Sequence, residues 1–234
     1  MTNIGFIGLG IMGHPMAGHL LAAGHQMAVT SRRRSSAEDL ISRGATWYDD
    51  PASLARDSEI VITMLPDSPD VRAVALAAGG VFDGASSGSL YIDMSTIRPD
   101  VAREIAARGA DRGIGTLDAP VSGGEAGAVA GTLSIMAGGA SDAFERARPV
   151  FELMGKTISH VGPAGAGQTV KAANQLLVGG AMELLAEAVL LLERSGVDMP
   201  SALGVLAGGL AGSRVLDTKS AGMRARTLDR KSVV

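Results

Sequence analysis

No cysteine occurs among the 234 residues, which excludes disulfides, thiolate nucleophiles and cysteine-ligated zinc and fits a reducing compartment. The cytoplasm is the expected location. The histidines His14, His19, His25 and His160 are scattered, with no i,i+4 pair or carboxylate cluster at ligand spacing, so no metal site is expected. Charge is scant: 19% of residues are charged and the formal net charge is −3, so nothing draws the whole chain to nucleic acid. The N-terminal run "MTNIGFIGLGIMG" lacks the basic segment of a secretion signal and reads as a strand entering a turn. Internal repeats, low-complexity tracts and a clear flexible linker are missing as well.

What the chain has is apolar substance and glycine. Hydrophobic residues make up 46%, enough for one large core or two modest ones, so a soluble globular protein is expected. Residues 3–7 form an apolar run, "GLGIMG" places glycines at 8, 10 and 13, and "HPMAGHLLAAGH" continues with helical periodicity to Gly24. In this strand, turn and helix, Gly8 allows the turn, Gly10 lets a pyrophosphate approach the backbone, and Gly13 lets the helix pack on the strand. With Ile11 and Met12 between the last two, this loop is the candidate cofactor site, and the helix N-terminus offers it free N–H groups. A glycine fingerprint is weak in a chain with 32 glycines. Strand-like runs at 26–31, 59–65 and 89–95, separated by helix-length segments, supply the βαβ context it needs.

Where an NAD-preferring site has an acid, the second strand ends at Ser31 and is followed by Arg32, Arg33 and Arg34. Arginines can pair with a 2′-phosphate, which favours NADP and leaves NAD possible. A solvated basic loop at a helix start accounts for them too.

In the second half, "TLDAPVSGGEAGAVAGTLSIMAGG" puts Ser122, Gly123 and Gly124 in a small-residue loop after a strand ending near Pro120. Such a loop can hold a small carboxylate through its N–H groups and a hydroxyl, although a plain glycine turn explains it equally well. After the Pro/Gly cluster near Pro163, "GAGQTVKAANQLLVGGAMELLAEAVLLL" reads as one long helix. At 100° per residue, Lys171, Asn174, Gln175, Val178, Met182, Leu185 and Val189 share a stripe. A lysine on a buried stripe needs a reason, and either a functional amine or one reaching solvent at the helix start fits. Glu183 and Glu187 interrupt the apolar run, so it reads as too polar at its centre for a membrane span. A helix this apolar is expected to be packed on all sides.

The "GFIGLGIMG" start, the "DAPVSGG" loop and the "GAGQTVKAANQ" helix, in that order and spacing, resemble the β-hydroxyacid dehydrogenase family, over residues 3 to about 223. The resemblance implies an α/β fold: a Rossmann-type dinucleotide-binding domain (1–163), then a long interdomain helix and an all-α domain (164–234). It implies Lys171 as the catalytic lysine and Ser122, Gly123 and Gly124 as the binders of a substrate carboxylate. Asn174 would stand beside the reacting carbon, Thr96 near the nicotinamide, and Met64 and Leu65 along the adenine-side ribose. A homo-oligomer and a small carboxylate-bearing substrate are implied, with no nucleic-acid or membrane partner.

"KAANQ" lacks the histidine that 6-phosphogluconate dehydrogenases place after the lysine, and the lysine itself disfavours the imine reductases. Residues 208–223 resemble the tartronate semialdehyde reductase branch, also called 2-hydroxy-3-oxopropionate reductase, more than the 3-hydroxyisobutyrate dehydrogenase branch. The implied reaction is NADP-dependent reduction of tartronate semialdehyde to D-glycerate. Where the family continues into further helices, including a Lys-Asp pair near the active site, this chain reads "RARTLDRKSVV". An incomplete all-α domain is therefore expected, with a non-catalytic nucleotide-binding remnant as the alternative, and exposed apolar surface that favours self-association.

Overall fold

The structure, a computed structural model, describes residues 1–227; of the tail "RARTLDRKSVV", residues 228–234 lie outside the described residues. The chain divides into two units, Met1–Lys171 and the remainder from Ala172.

The first unit is built on short, continuously apolar runs, which form strands buried on both faces. They are β1 (Asn3–Ile7), β2 (Gln26–Thr30), β3 (Thr46–Trp47), β4 (Ile60–Thr63), β5 (Leu90–Asp93) and β6 (Gly115–Asp118), all parallel in the order β3-β2-β1-β4-β5-β6. Side chains alternate along each strand. Phe6, Ile62 and Ile92 enter one core layer with Leu20 and Phe151, while Ile7, Val61 and Tyr91 enter the other with Leu54 and Ile105. The layers are closed by α1 (Gly13–Ala22), α2 (Glu38–Ser42), α3 (Pro51–Arg56), α4 (Ser68–Leu76), α5 (Val81–Gly84) and α6 (Pro99–Ala110). Helix starts follow from side chains: Asp50 caps α3 by accepting the Ser53 N–H, with Pro51 in the first turn.

The expected Rossmann-type sheet is present, and the chain extends it. After β6 come β7 (Val121–Ser122), α7 (Gly124–Ala130), β8 (Leu133–Gly139), α8 (Ser141–Glu152) and β9 (Gly155–Gly162). β8 runs antiparallel to both β6 and β7 and pairs in parallel with β9. The expected loop at 122–124 is thus a strand end and a helix start: Ser122 pairs with Ser134, and Gly124 opens α7. Met64 and Leu65, read as part of a strand, lie beyond the end of β4.

The long helix is α9 (Ala166–Arg194), followed by α10 (Met199–Gly208) and α11 (Arg214–Arg224). The unit boundary falls inside α9, after Lys171. In the second unit Leu185, Val189, Leu203 and Leu216 form a small core. The predicted stripe Lys171, Asn174, Gln175, Val178, Met182, Leu185 and Val189 is buried or half-buried throughout. Packing on all sides, however, does not occur: Leu176, Leu177, Leu184 and Leu191 are between 67% and 77% exposed. A four-residue core takes one stripe of a helix, and the opposite face has no apolar layer among the described residues. Glu183 and Glu187 also do not make the helix too polar for a span by length and composition, since α9 meets that criterion. Its first turns nevertheless belong to the sheet unit, where Gln168 is 1% and Lys171 5% exposed.

Candidate active site

In an open parallel sheet, ligands bind at the carboxyl edge where strand order reverses. Here the reversal lies between β1, continued by β2 and β3, and β4. The loop 8–13 leaves β1 at that point, with the Gly8 N–H donating to Thr30 O at 3.0 Å and the Met64 N–H to Ile7 O at 2.9 Å. Gly8 has φ +100°, and a Cβ there would collide with the Met64 carbonyl. At Gly13 a Cβ would strike the Gly8 carbonyl. Gly10 is different: a Cβ would meet nothing within 4 Å, so its backbone is open to a ligand. Met12 precedes α1 without a side-chain cap and the first turn holds no acid; the His14 N–H donates to Gly10 O at 3.0 Å and Pro15 has none, so an anion would meet the N–H groups of Gly13 and of the loop just before it. These residues fit the pyrophosphate of a dinucleotide. Ile11, 43% exposed, projects beside them, and Met12 is half-buried.

The chain leaves β2 at half-buried Ser31 and passes through exposed Arg32 and Arg33. Neither has a carboxylate partner among the described residues. Arg34 differs, since its guanidinium lies 5.7 Å from the centroid of Trp47. Met64 and Leu65 are half-buried at the end of β4, where the Leu65 N–H donates to Ser95 Oγ at 2.8 Å.

Beneath the loop after β5 lies a polar cluster that sequence reasoning missed. Asp93, 2% exposed, accepts from Thr63 Oγ1 at 2.8 Å and from Ser95 Oγ at 2.6 Å, both on Oδ1. Its Oδ2 has no hydrogen-bond partner among the described residues. Burial pushes its carboxyl up to about 6, against the pull of the Ser95 and Thr63 hydrogen bonds and helped by the Asp118 charge. Thr96, presented by this loop, is exposed, whereas Ser95 and Ile97 on either side are buried.

At the end of β6, Asp118 accepts the Gly165 N–H on Oδ1 at 2.7 Å and the Gln168 N–H on Oδ2 at 2.9 Å. It thereby satisfies the donor just before α9 and one in its first turn, with a group whose charge suits the helix dipole. Burial raises its carboxyl above the usual range despite those amides. One turn on, Lys171 Nζ donates to Val121 O at 2.8 Å. Burial holds this amine below the ordinary lysine range, and no carboxylate pairs with it among the described residues. An ammonium carries three hydrogens, and Val121 takes one. Ser122, next in the chain, is half-buried, Gly123 has φ +142° and Gly124 φ +60°, and no side chain caps α7. The structure therefore brings Lys171 to the segment containing Ser122. Asn174 belongs to the second unit, half-buried, with its Nδ2 donating to Gln175 Oε1 at 3.0 Å.

A groove of about 1010 Å³ lies at the opposite edge of the sheet, where Asn3, Gln26, Glu59 and Ser89 line it at the amino ends of strands. None of the candidate site residues lines it.

Asp118 and Gln168 carry a weak signal in the sequence, as polar residues inside the "DAPVSGG" and "GAGQTVK" stretches. Asp93 reads only as a strand-end acid.

Comparison with known proteins identifies the family and the fold. Residues 3–162 match the family described as the NAD binding domain of 6-phosphogluconate dehydrogenase, and residues 165–234 the one described as NAD-binding of NADP-dependent 3-hydroxyisobutyrate dehydrogenase. The chain is 43% identical to 2-hydroxy-3-oxopropionate reductase of Escherichia coli, over 97% of this chain and 77% of that protein. It is 44% identical to 3-hydroxyisobutyrate dehydrogenase of Pseudomonas aeruginosa, over 85% of this chain and 66% of that one. The structure of a Mycobacterium tuberculosis 3-hydroxyisobutyrate dehydrogenase with L-serine superimposes with a TM-score of 0.88 at 34% identity, covering 98% of this chain and 81% of that one.

Proposed function

The chain belongs to the β-hydroxyacid dehydrogenase family of nicotinamide-dependent oxidoreductases, and we propose that it reduces a small semialdehyde acid, tartronate semialdehyde to D-glycerate, with Lys171 as the proton donor. The observation that carries this reading is a lysine 5% exposed, unpaired with any carboxylate among the described residues, whose amine donates to Val121 O beside Ser122. Such an amine is a costly thing to bury unless it is used.

The loop Gly8–Gly13 and the start of α1 hold the pyrophosphate of the cofactor, with Ile11 and Met12 beside it. Met64 and Leu65 line the adenine-side ribose, and Thr96 faces the nicotinamide. Ser31, Arg32 and Arg33 hold a 2′-phosphate, which makes NADP the preferred form; guanidinium groups with no carboxylate partner among the described residues support this. When bound, the cofactor supplies the hydride. Ser122, Gly123 and Gly124 donate to the substrate carboxylate and so orient the aldehyde; Asn174 keeps the role toward the substrate that the family resemblance implies. Lys171 donates a hydrogen bond to the aldehyde oxygen and passes it a proton as negative charge gathers there. In the reverse direction the neutral amine takes the alcohol proton, and burial, which lowers the pKa of this amine, favours the neutral form relative to an ordinary lysine.

A second reading, oxidation of a β-hydroxyacid such as 3-hydroxyisobutyrate, is supported by the near-equal identities of 44% and 43% to the two named relatives. The same residues serve it. In the homo-oligomer that the resemblance implies, the outward leucines of α9 gain a partner surface, and a sedimentation profile of a monomer at micromolar concentration contradicts that assembly. The reaction is tested by following NADPH absorbance on addition of tartronate semialdehyde, with NADH in parallel and 3-hydroxyisobutyrate with NADP⁺ as the competing assay. Faster turnover in the first assay supports the reading; turnover confined to the last replaces it with the second.

A further inference from the structure

Resting on the roles just given to Lys171 and Thr96, we infer that Gln168 is a positioning residue: its carboxamide ties the cofactor-facing loop at Thr96 to the helical turn that carries the proton donor. Gln168 is 1% exposed. Its Oε1 accepts the Ile97 N–H at 3.0 Å, and its Nε2 donates to Ser95 O at 2.8 Å. These are the main-chain groups on either side of Thr96. One side chain therefore grips that loop from both flanks, as a neighbouring strand would, and leaves the Thr96 side chain exposed. The Gln168 main chain is held as well, by the 2.9 Å bond from its N–H to Asp118 Oδ2. Three residues further on, Lys171 Nζ reaches Val121 O.

Gln168 thus joins three parts of the reaction centre: the loop after β5, the end of β6, and the lysine-bearing turn of α9. The seat leaves no slack. A Cβ on Gly167 would collide with the Met136 and Asp118 carbonyls, and one on Gly138 would lie 2.8 Å from the Gly167 nitrogen, so the helix start is pressed onto β6 and β8. The tip must offer one acceptor and one donor in a plane at this length. Glutamine does; methionine offers neither, and ionised glutamate turns an acceptor toward Ser95 O. The loop assigned to the nicotinamide and the turn that carries Lys171 are both held by this clamp, so the spacing between them depends on it, and misplacements near 1 Å cost up to about 10²-fold in rate.

The test uses the full chain with Gln168→Met and Gln168→Glu. Two quantities are read: kcat and KM for tartronate semialdehyde with NADPH, and the pH midpoint at which acetic anhydride labels Lys171, followed by mass spectrometry. The expected result for Gln168→Met is a kcat lower by about tenfold or more with KM changed by less than about threefold, together with a Lys171 midpoint raised toward that of an ordinary lysine. Gln168→Glu, which keeps the acceptor for Ile97, falls between it and the wild type, and it carries the comparison if the methionine variant does not fold. A role confined to stability lowers the melting temperature and leaves the kcat of folded protein and the labelling midpoint where they were; that result overturns the inference. If the wild type turns over no semialdehyde acid, the proposed function fails by itself. The labelling midpoint then decides the positioning role alone, an unchanged value overturning it.

Discussion

In the sheet unit, Phe6, Leu20 and Phe151 have no solvent exposure, whereas past Lys171 the leucines at 176, 177, 184 and 191 are each at least two-thirds exposed. Both regions are rich in apolar residues, so composition does not separate them. Topology does. A parallel sheet with helices on both faces closes two apolar layers over itself, while α10 and α11, sharing a four-residue core with α9, cover one stripe of it among the described residues and leave the rest. Nearly every group assigned a role stands in the closed unit, with Lys171 as its last residue and Asn174 as the exception. Burial tunes the Lys171 amine and the Asp93 and Asp118 carboxyls, and a closed layer is what supplies burial.

The contrast can be pressed by substitution. Phe151→Ala removes a side chain enclosed in the larger core and is expected to cost about 3–5 kcal/mol, measured by urea denaturation; a loss near zero would mean that this layer is not closed.

Asp93 tests the same enclosure through pH. Its folded value of about 6 lies above the ordinary 3.8, so between these values the folded protein binds more protons than the unfolded chain. Stability is greatest below the lower value and falls as pH rises through about 6, by up to about 3 kcal/mol for a shift of this size. Asp93→Asn keeps an acceptor for Thr63 and Ser95 and removes the titration. The wild type therefore loses stability relative to the variant between pH 4 and pH 7, and parallel pH curves would contradict the buried charge.

Arg32→Ala with Arg33→Ala acts on the open edge of the sheet. It is expected to weaken NADPH about tenfold more than NADH, measured by fluorescence titration, and equal weakening argues against 2′-phosphate recognition. The smallest effect belongs to the exposed helix face of the single chain: at a concentration too dilute for the homo-oligomer to assemble, Leu177→Gln should change unfolding free energy by no more than about 0.5 kcal/mol. A loss like that of Phe151→Ala would show the face to be covered in solution.

Features set by local pattern were legible in the sequence. Gly8, Gly10 and Gly13 fall between an apolar run and a helical one, and the stripe through Lys171, Leu185 and Val189 is the less exposed face of α9. What escaped depends on distant partners. Gln168 reads as an ordinary polar residue in a helix start until Ser95 and Ile97, 73 and 71 positions away, are seen against it. Asp93 looks like any acid at a strand end until Thr63, from another strand, reaches it. β8 and β9 carry glycine at their ends and bulges between them, which blurs their alternation. Exposed apolar surface on α9 was expected from the sequence; which leucines carry it, Leu176, Leu177, Leu184 and Leu191, was not, because hydrophobicity reports a tendency to be covered and covering depends on what packs against each face.

The central claim is that Lys171 moves the proton and does not hold the cofactor. The direct measurement compares Lys171→Ala with the wild type, reading kcat for semialdehyde reduction alongside the Kd for NADPH. The account predicts a kcat lower by about 10²–10⁴ with Kd changed by less than about threefold. Unchanged turnover, or a loss explained by NADPH binding alone, would contradict it.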